Sequence, residues 1–267
     1  MTQISEGVVT HYGASNLAER ILHAAGAAGI DTFSPTTLSP VDEFHTGGAM
    51  ATRQLAEFAG LKPGERVVDL GSGIGGPSRL VAAEFGCDVT GVDLTPEFVD
   101  AARILTEKCG LSASCRFEAG DATALPFADA SFDVAWTQHV VMNIKDRQEF
   151  YNEAFRVLKP GGRLTFFDLL LGDEEKELDS PLPWARTPDI SFLHTTARTR
   201  EFVTSAGFEE AAWQQVPFGQ APPPTIVAGF GLGLIMGDDM GERIQNISRC
   251  IQDGRVIIVR GLFRKPG

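Results

Sequence analysis

A short run of glycines with one carboxylate carries the clearest chemical signal in this sequence. Asp69 comes two residues before Gly71, and Gly71-Ser72-Gly73 ends an apolar stretch that begins at Val67. Glycine permits a tight turn and lets a ligand lie against bare backbone at a helix N-terminus. We expect these three loop residues to contact a ligand, while the Asp69 carboxylate either attracts the ammonium of a bound amino acid or orders the loop.

The same glycines also fit a second kind of site. Gly71, Gly73 and Gly76 satisfy the GxGxxG spacing of dinucleotide-binding proteins, so a nicotinamide-dependent oxidoreductase remains an alternative. Pro77 argues against it, because proline deletes a backbone N–H that a pyrophosphate would use at the start of the helix. The glycines alone leave the choice open.

Two further carboxylates follow at the spacing of a nucleoside site. Asp93 comes twenty residues after Gly73, where an α/β nucleoside site places an acceptor for both ribose hydroxyls. Asp121 precedes the apolar segment Leu125-Pro126-Phe127; such an acid can accept from an adenine amino group while apolar neighbours hold the ring. Together these features predict a site for adenosine carrying an amino-acid tail. The residues expected at the nucleoside are Asp93, Leu94, Gly120, Asp121 and Ala122.

The elements that must position these residues alternate along the chain. Strand patterns alternate with amphipathic helix patterns, which predicts an α/β fold with a doubly wound, mainly parallel sheet. Ligands collect at the carboxyl ends of the strands in such sheets. The strands are expected at 65–73, 87–94, 112–122, 131–140, 163–171, 209–216 and 254–265, and the helices between them at 76–86, 95–110, 147–158 and 199–206.

Segments outside this alternation predict a cover over the strand ends. We expect an N-terminal helical cover at 1–60, with helices at 15–30 and 50–59 and a loop at 31–40, and a catalytic domain at 61–267. Lid-like insertions are expected at about 172–198 and 217–253. Aromatic residues in or beside these insertions indicate a mostly apolar acceptor pocket: Trp184, Phe192, Phe202, Phe218 and Phe230.

Five motifs in order give the chain a family resemblance over roughly residues 47 to 170. VVDLGSGIGG, TGVDLT, GDATALPF, SFDVAW and RVLKPGGRL resemble the successive motifs of class I S-adenosylmethionine-dependent methyltransferases. The subgroup that the chain most resembles is the small-molecule branch with phosphoethanolamine, sarcosine and quinone methyltransferases. The resemblance implies a Rossmann-like seven-stranded sheet with the last strand antiparallel, S-adenosylmethionine over the first strands, and methyl transfer to a small organic acceptor.

The branch also supplies expectations for single residues. A Gly-Gly-x-x-Ala-Thr segment leads into its domain, here starting at Gly47, and the residue before it helps to cover the methionine end of the cofactor. Thr46, Gly47 and His45 thereby become cofactor-side candidates. Gln138 matches a polar position that commonly touches the cofactor tail. The branch often has a histidine a few residues later, where this chain has Asn143, so its catalytic assignment does not transfer.

His139 is instead the candidate catalytic residue by position. It lies at the carboxyl end of the fourth expected strand, at the edge where ligands collect. An imidazole there could take a proton from an acceptor or merely hydrogen-bond a loop. Tyr12, with His11, belongs to the expected cover; Tyr12 is the second catalytic candidate, expected to close over the site, and a structural or gating role is its alternative. A protein that binds the cofactor as a sensor, without catalysis, remains a further alternative.

The composition of the chain limits the classes of molecule that we expect it to bind and the compartment in which we expect it. The formal net charge of −12 disfavours nucleic acid and acidic lipid surfaces, which attract clustered positive charge. HxxxH, HExxH and CxxC spacings are absent from the sequence, so no metal is expected. Four cysteines without a framework, no secretory signal pattern and no apolar run of about 20 residues predict a cytoplasmic protein outside membranes. The oligomeric state stays open, a homodimer being one option.

Overall fold

Seven strands form one sheet in the described part of the chain. The computed structural model describes residues 16–172, 176–219, 229–237 and 239–267. The strands are β1 (Arg66–Leu70), β2 (Asp88–Asp93), β3 (Cys115–Ala119), β4 (Phe132–Gln138), β5 (Leu158–Leu171), β6 (Glu209–Val216) and β7 (Val256–Arg264). Their order is β3-β2-β1-β4-β5-β7-β6. Only β7 runs antiparallel to its neighbours among these strands, which confirms the expected Rossmann-like sheet with an antiparallel last strand.

Helices lie on both faces of the sheet and above its carboxyl edge. They are α1 (Leu17–Ala27), α2 (Pro35–Asp42), α3 (Gly48–Ala59), α4 (Gly76–Phe85), α5 (Pro96–Lys108), α6 (Arg147–Val157), α7 (Thr196–Ser205), α8 (Gly233–Met236) and α9 (Met240–Gln252). Short 3₁₀ helices span Val141–Asn143 and Pro188–Ile190. None of the helices in the described ranges is long and apolar enough to cross a membrane.

The alternation of side chains along each strand divides the core into two layers. Val67 packs in one layer with Leu55 of α3 and Ile247 of α9, whereas Val68 packs in the other with Tyr151 of α6 and Val203 of α7. Both valines are buried. The sheet is therefore covered on both faces, and its open side is the edge where the strands end.

Two local expectations are wrong. Residues 31–40 were expected as a loop because they are rich in Ser, Thr and Pro, yet α2 begins at Pro35. Ser34 caps this helix: its Oγ accepts from the Thr37 backbone N–H, and the Thr37 hydroxyl accepts from the Ser34 N–H, while proline suits the first turn. The second concerns α5: a threonine directly before Pro96 predicts a hydroxyl cap, yet Thr95 is at the N-cap and makes no side-chain capping hydrogen bond.

The segments around the sheet share a third core. Ile21 of α1 and Leu38 of α2 pack in one cluster with Phe98 of α5 and with Phe230 and Met236 near α8. Residues before the first strand and residues of the second insertion thus meet above the carboxyl edge. The division of the chain at residue 60 stays a prediction.

Candidate functional site

One cavity of about 1350 Å³ opens at the carboxyl edge of the sheet. Its floor comes from the loops that follow β1, β2, β3 and β4, and its roof from α2, the turn before α3, and the segment around α8 and α9. The cavity brings together nearly all of the residues singled out from the sequence. They are Thr46, Gly47, Gly71, Ser72, Gly73, Asp93, Leu94, Gly120, Asp121, Ala122, Gln138 and His139.

The loop after β1 requires glycine at two of its positions. Gly71 and Gly73 have φ angles of 77° and 54°, in the left-handed region that L side chains avoid. A Cβ on Gly71 would lie 2.5 Å from the Val140 side chain, and one on Gly73 would lie 3.2 Å from Phe44. The bare backbone therefore lets the loops after β1 and β4 approach one another and leaves room in the cavity.

Asp93 joins the first two loops by hydrogen bonds to the backbone. Its Oδ2 accepts from the Gly73 N–H at 2.8 Å, and its Oδ1 accepts from the Thr95 N–H at 2.9 Å. Burial raises the pKa of this carboxyl, and the two N–H donors act in the opposite direction. Each carboxylate oxygen retains acceptor capacity for a ligand hydroxyl.

Asp69 occupies a different place from the other candidates. Its side chain is only 3% exposed, and its Oδ2 accepts from the Ser78 hydroxyl at 2.5 Å. It does not lie among the described residues that line the cavity. Burial raises its pKa to about 7. Of the two roles expected from sequence, this geometry favours ordering of the loop through α4.

Asp121 lies on the cavity wall after β3. Its Oδ1 accepts from both the backbone N–H and the hydroxyl of Thr123, at 2.8 and 2.7 Å. Ala122 and Leu125 behind it are buried. The second carboxylate oxygen has no hydrogen-bond partner within the described ranges, so it can accept from a ligand beside this apolar wall.

His139 sits between an aromatic ring and another histidine. Its φ of 51° turns the chain sharply at the end of β4, and its ring stacks on Phe167 with centroids 5.2 Å apart. The His45 ring lies edge-on, 5.9 Å away. Burial, and secondarily the charge of His45, holds the pKa of His139 well below its ordinary value. The imidazole is therefore neutral at pH 7, the form that can accept a proton.

A buried polar cluster, Glu43, His45, Thr52 and Gln138, adjoins His139. Glu43 Oε2 and His45 Nε2 are 2.6 Å apart, and the Thr52 hydroxyl lies 3.0 Å from each. The other ring nitrogen of His45 faces the Thr46 carbonyl oxygen at 3.3 Å. The Glu43 carboxylate and the Thr46 carbonyl oxygen thus contact the two ring nitrogens of His45 and fix the orientation of the ring.

Sequence reasoning missed Glu43 and a second acid, Asp168. Asp168 of β5 is fully buried, and its Oδ1 accepts from the Val140 N–H at 3.2 Å, beneath the loop after β4. Burial raises its pKa to about 8. Glu43 had a usable signal, a carboxylate two residues before a histidine and ahead of the glycine pair. Asp168 had none, since an acid near the end of an apolar strand is not distinctive by itself.

The far end of the cavity is apolar. Trp184 and Phe230 line it with Phe218, and one face of α9 completes the wall. Phe192 and Phe202, expected in the same pocket, are not among the described lining residues. The ring of Phe202 packs instead against His194, with centroids 5.2 Å apart. Tyr12 and His11 lie outside the described residues.

Two unpaired polar atoms allow the fit of an amino-acid-bearing nucleoside to be tested. Ser72 Oγ and Gln138 Nε2 are buried and have no hydrogen-bond partner within the described ranges. Both residues line the cavity near His139. Buried polar groups are normally satisfied, so these two fit a ligand that carries donors and acceptors. Among the described residues, no group of three His, Cys, Asp or Glu side chains could hold a metal ion.

Comparison with known proteins gives matches in sequence and in fold. A family model described as a methyltransferase domain matches residues 68–166. Phosphoethanolamine N-methyltransferase 3 of Arabidopsis thaliana is 31% identical over 173 residues, which cover 62% of this chain and 33% of that protein. The 2-methyl-6-phytyl-1,4-hydroquinone methyltransferase of Synechocystis sp. is 35% identical over 159 residues, covering 58% of this chain and 48% of that protein.

A solved structure extends the likeness of the fold to nearly the whole chain. Geranyl diphosphate C-methyltransferase from Streptomyces coelicolor A3(2), in complex with Mg²⁺, geranyl-S-thiolodiphosphate and S-adenosyl-L-homocysteine, superposes with a TM-score of 0.72 at 15% identity, covering 99% of this chain and 98% of that one. The matched part of this chain spans a third to a half of the two curated relatives. Residues 68–166 match a methyltransferase domain, and the expected resemblance of the chain to class I S-adenosylmethionine-dependent methyltransferases is confirmed.

Proposed function

We propose that this protein transfers a methyl group from S-adenosylmethionine to a small organic acceptor. The observation that carries the proposal is the continuity of one cavity, which runs from the glycine and carboxylate loops to an apolar chamber beside α9. A donor and an acceptor bound at the two ends would meet near His139. Such an arrangement holds two reactants in line and away from water, which supplies much of the acceleration in methyl transfer.

The cofactor would lie along the polar end of this cavity. Asp93 would accept from the ribose hydroxyls, Asp121 would accept from the adenine amino group, and the Gly71–Gly73 backbone would lie under the amino-acid tail. Ser72 Oγ and Gln138 Nε2 would gain hydrogen-bond partners. The remaining cofactor-side residues in this proposal are Thr46, Gly47, Leu94, Gly120 and Ala122, whereas Asp69 would act indirectly, by ordering the loop through Ser78.

S-adenosylmethionine supplies an activated methyl group on a sulfonium. The residues of this chain exclude water and orient the acceptor, and His139 is positioned to accept a proton if the acceptor is a hydroxyl or an ammonium. Its depressed pKa keeps the imidazole in the basic form at neutral pH. The Glu43–His45 pair packs beside it and fixes the edge of the site that faces the methionine end.

Two alternatives have less support. A nicotinamide oxidoreductase would share the glycine spacing, but the family match over residues 68–166 is to methyltransferases. A sensor without catalysis would not need a second, apolar chamber joined to the cofactor end. Transfer to a small molecule therefore agrees better with the cavity.

Calorimetry provides the decisive binding test. Full-length protein is titrated with S-adenosylhomocysteine and, separately, with NAD. We expect S-adenosylhomocysteine to bind with a micromolar dissociation constant, roughly −8 kcal/mol, and NAD to bind at least 100-fold more weakly. Release of S-adenosylhomocysteine is then measured against amines, phenols, quinols and thiols. Tighter binding of NAD would refute the proposal, and binding without any turnover would favour the sensor.

A further inference from the structure

We propose that the methyl acceptor is an elongated, largely apolar molecule that carries no anionic group. This inference rests on the proposed function, because it assigns the apolar end of the cavity to the acceptor. It names the acceptor by shape and charge, and it predicts discrimination against phosphate- and carboxylate-bearing molecules. Three properties of the cavity support this acceptor class: an apolar strip, an exposed apolar rim and the charge of the lining residues.

The apolar strip is one face of α9. Residues 240, 244, 247, 248 and 251 all line the cavity, and their spacing of three and four places them on one side of a helix. The eleven steps from residue 240 to residue 251, at a rise of about 1.5 Å each, make a strip about 16 Å long. Ser248, its polar member, donates its hydroxyl to the Ile244 carbonyl at 2.7 Å. The strip therefore offers a ligand contact area without hydrogen bonds.

Two aromatic side chains that line the same cavity share this apolar character. Trp184 and Phe230 are nearly fully buried, at 3% and 1% exposed. The indole N–H of Trp184 donates to Ser191 Oγ at 3.0 Å, so it is already satisfied. These rings therefore add apolar edges to the wall and no hydrogen-bonding group for a polar ligand.

Two apolar side chains at the rim lie open to solvent. Ile244 is 46% exposed and Phe218 is 41% exposed. Four large apolar side chains are exposed in the described part of the chain, and these two are the ones that line the cavity. An apolar acceptor extending to the rim would cover them. Apolar side chains exposed at the rim of a cavity mark a binding site more often than single apolar side chains scattered over the surface do.

The charges around the cavity disfavour an anionic acceptor at its apolar end. Five acids line the cavity, Asp42, Glu43, Asp93, Asp121 and Asp146, of which Asp42 is paired with the buried Arg79; the bases among the described lining residues are the exposed Lys145 and two histidines, and none of them lies on α9. The segments 1–15, 173–175, 220–228 and 238 contain no lysine or arginine. A phosphate or carboxylate buried here would lose its hydration without gaining a cationic partner. The cavity therefore differs from what the phosphorylated compounds named for two similar proteins would require.

A matched pair of fluorescent probes tests this inference directly. N-phenyl-1-naphthylamine and 8-anilino-1-naphthalenesulfonate share one ring system and differ by a sulfonate. Each is titrated into the full-length protein saturated with S-adenosylhomocysteine. We expect the neutral probe to bind at least about tenfold more tightly. Equal or tighter binding of the sulfonate would overturn the inference.

Two isoleucine variants show whether the probes bind in the cavity or at any exposed apolar side chain. Ile244→Lys places a cation on the strip, whereas Ile104→Lys makes the same change at a 40% exposed site on α5, away from the cavity. Ile244→Lys should shift the ratio of the two dissociation constants toward the sulfonate by about tenfold, and Ile104→Lys should leave it unchanged. An unchanged ratio in Ile244→Lys, or equal shifts in both variants, would contradict the proposal.

The same samples distinguish this inference from the proposed function. Failure to bind S-adenosylhomocysteine overturns the proposed function and the acceptor class with it. Binding of S-adenosylhomocysteine combined with preference for the anionic probe overturns the acceptor class alone. Binding of S-adenosylhomocysteine and preference for the neutral probe, lost in Ile244→Lys only, supports both.

Discussion

The two ends of the cavity are built on different physical principles. At the polar end, main-chain hydrogen bonds of 2.8–3.0 Å fix the loops: Gly71 and Ser72 donate to the Val92 carbonyl, and Gly73 donates to Asp93. At the apolar end, Trp184 and α9 offer side-chain surface with no directed bonds toward the cavity. The polar end therefore selects a ligand by the positions of its hydrogen-bonding atoms, whereas the apolar end selects a ligand by its apolar area and its shape.

This difference predicts different tolerance to substitution. A loop held by backbone geometry fails when one Cβ is added, because neighbouring loops cannot retreat. At an apolar wall a substitution changes the binding free energy in small steps, because burial contributes about 25 cal/mol per Å² and neighbouring side chains can repack. Large, all-or-none effects should therefore concentrate at the polar end.

Gly73→Val should have the largest effect on cofactor binding. The added side chain would meet Phe44, would sit at a φ of 54°, and would project where the cofactor tail is proposed to lie. We expect no detectable binding of S-adenosylhomocysteine by calorimetry, with circular dichroism still showing a folded protein. Gly64→Val is the matched control: Gly64 has a φ of 81° with open space around it. Normal binding by folded Gly73→Val would remove this loop from the site.

The polar end could be predicted well from sequence. The glycines, Asp93 and Asp121 each follow a strand with a clear apolar pattern, and parallel strands bring their ends to one edge whatever the side-chain packing. Strand β6 lies at 209–216, as expected from its pattern, and β4 ends one residue before His139. Local periodicity was sufficient for these elements.

The apolar end could not be predicted in the same way. The segment 217–253 is predicted from sequence as a lid-like insertion with aromatic residues of an apolar pocket, but the helix α9 (Met240–Gln252) within it is not predicted. The apolar residues of α9 form a cavity wall only together with residues such as Trp184, which lies more than fifty residues earlier in the chain. The Glu43 cluster has the same limitation, because Thr52 approaches Gln138 across 86 positions. Such contacts depend on the folded chain and leave little local signal.

Asp93→Ala should weaken cofactor binding by about 2–4 kcal/mol, the value of charge-assisted hydrogen bonds to two ribose hydroxyls. The carboxylate also anchors the Gly73 and Thr95 N–H groups, so part of the loss comes from the loops. Asp88→Ala, at the opposite end of the same strand, is the control and should retain affinity. Calorimetry with S-adenosylhomocysteine measures both. An affinity of Asp93→Ala within threefold of wild type would show that the nucleoside lies elsewhere.

His139→Ala should separate turnover from cofactor binding at the junction of the two ends. Once an acceptor is known, we expect turnover to fall about 100-fold or more, with nearly unchanged affinity for S-adenosylhomocysteine. The depressed pKa of His139 means that wild-type turnover should stay level from pH 7 upward and decline only on the acid side, as the imidazole gains a proton.

His194→Ala is the control for this prediction. Burial also lowers the pKa of His194, but its ring packs on Phe202 and it does not line the cavity among the described residues. It should therefore retain turnover. Equal turnover in His139→Ala and wild type would remove His139 from the chemistry, and a parallel loss of cofactor affinity would assign it a structural role.

Asp168→Asn should produce the smallest effect, and one that appears in stability. Burial raises the pKa of Asp168 to about 8, whereas an unfolded aspartate has an ordinary value of 3.8. Between these values the folded protein retains a proton that the unfolded chain has released, so rising pH lowers the free energy of unfolding. Asparagine keeps the shape and an acceptor for the Val140 N–H but does not titrate.

Thermal unfolding at pH 5 and pH 9 tests whether the loop after β4 rests on a protonated carboxyl. We expect the fall in Tm across this range to be several degrees smaller in Asp168→Asn than in wild type, because the variant has no carboxyl proton to release there. Asp100→Asn, at an exposed position on α5, controls for the loss of one negative charge. If Asp168→Asn loses as much stability as wild type toward pH 9, Asp168 is ionised in the folded protein. Arg147, whose charge lowers the pKa of Asp168, would then be the partner of a buried aspartate charge. A buried ion pair beneath the loop after β4 would make the contrast between the polar end and the uncharged apolar end larger.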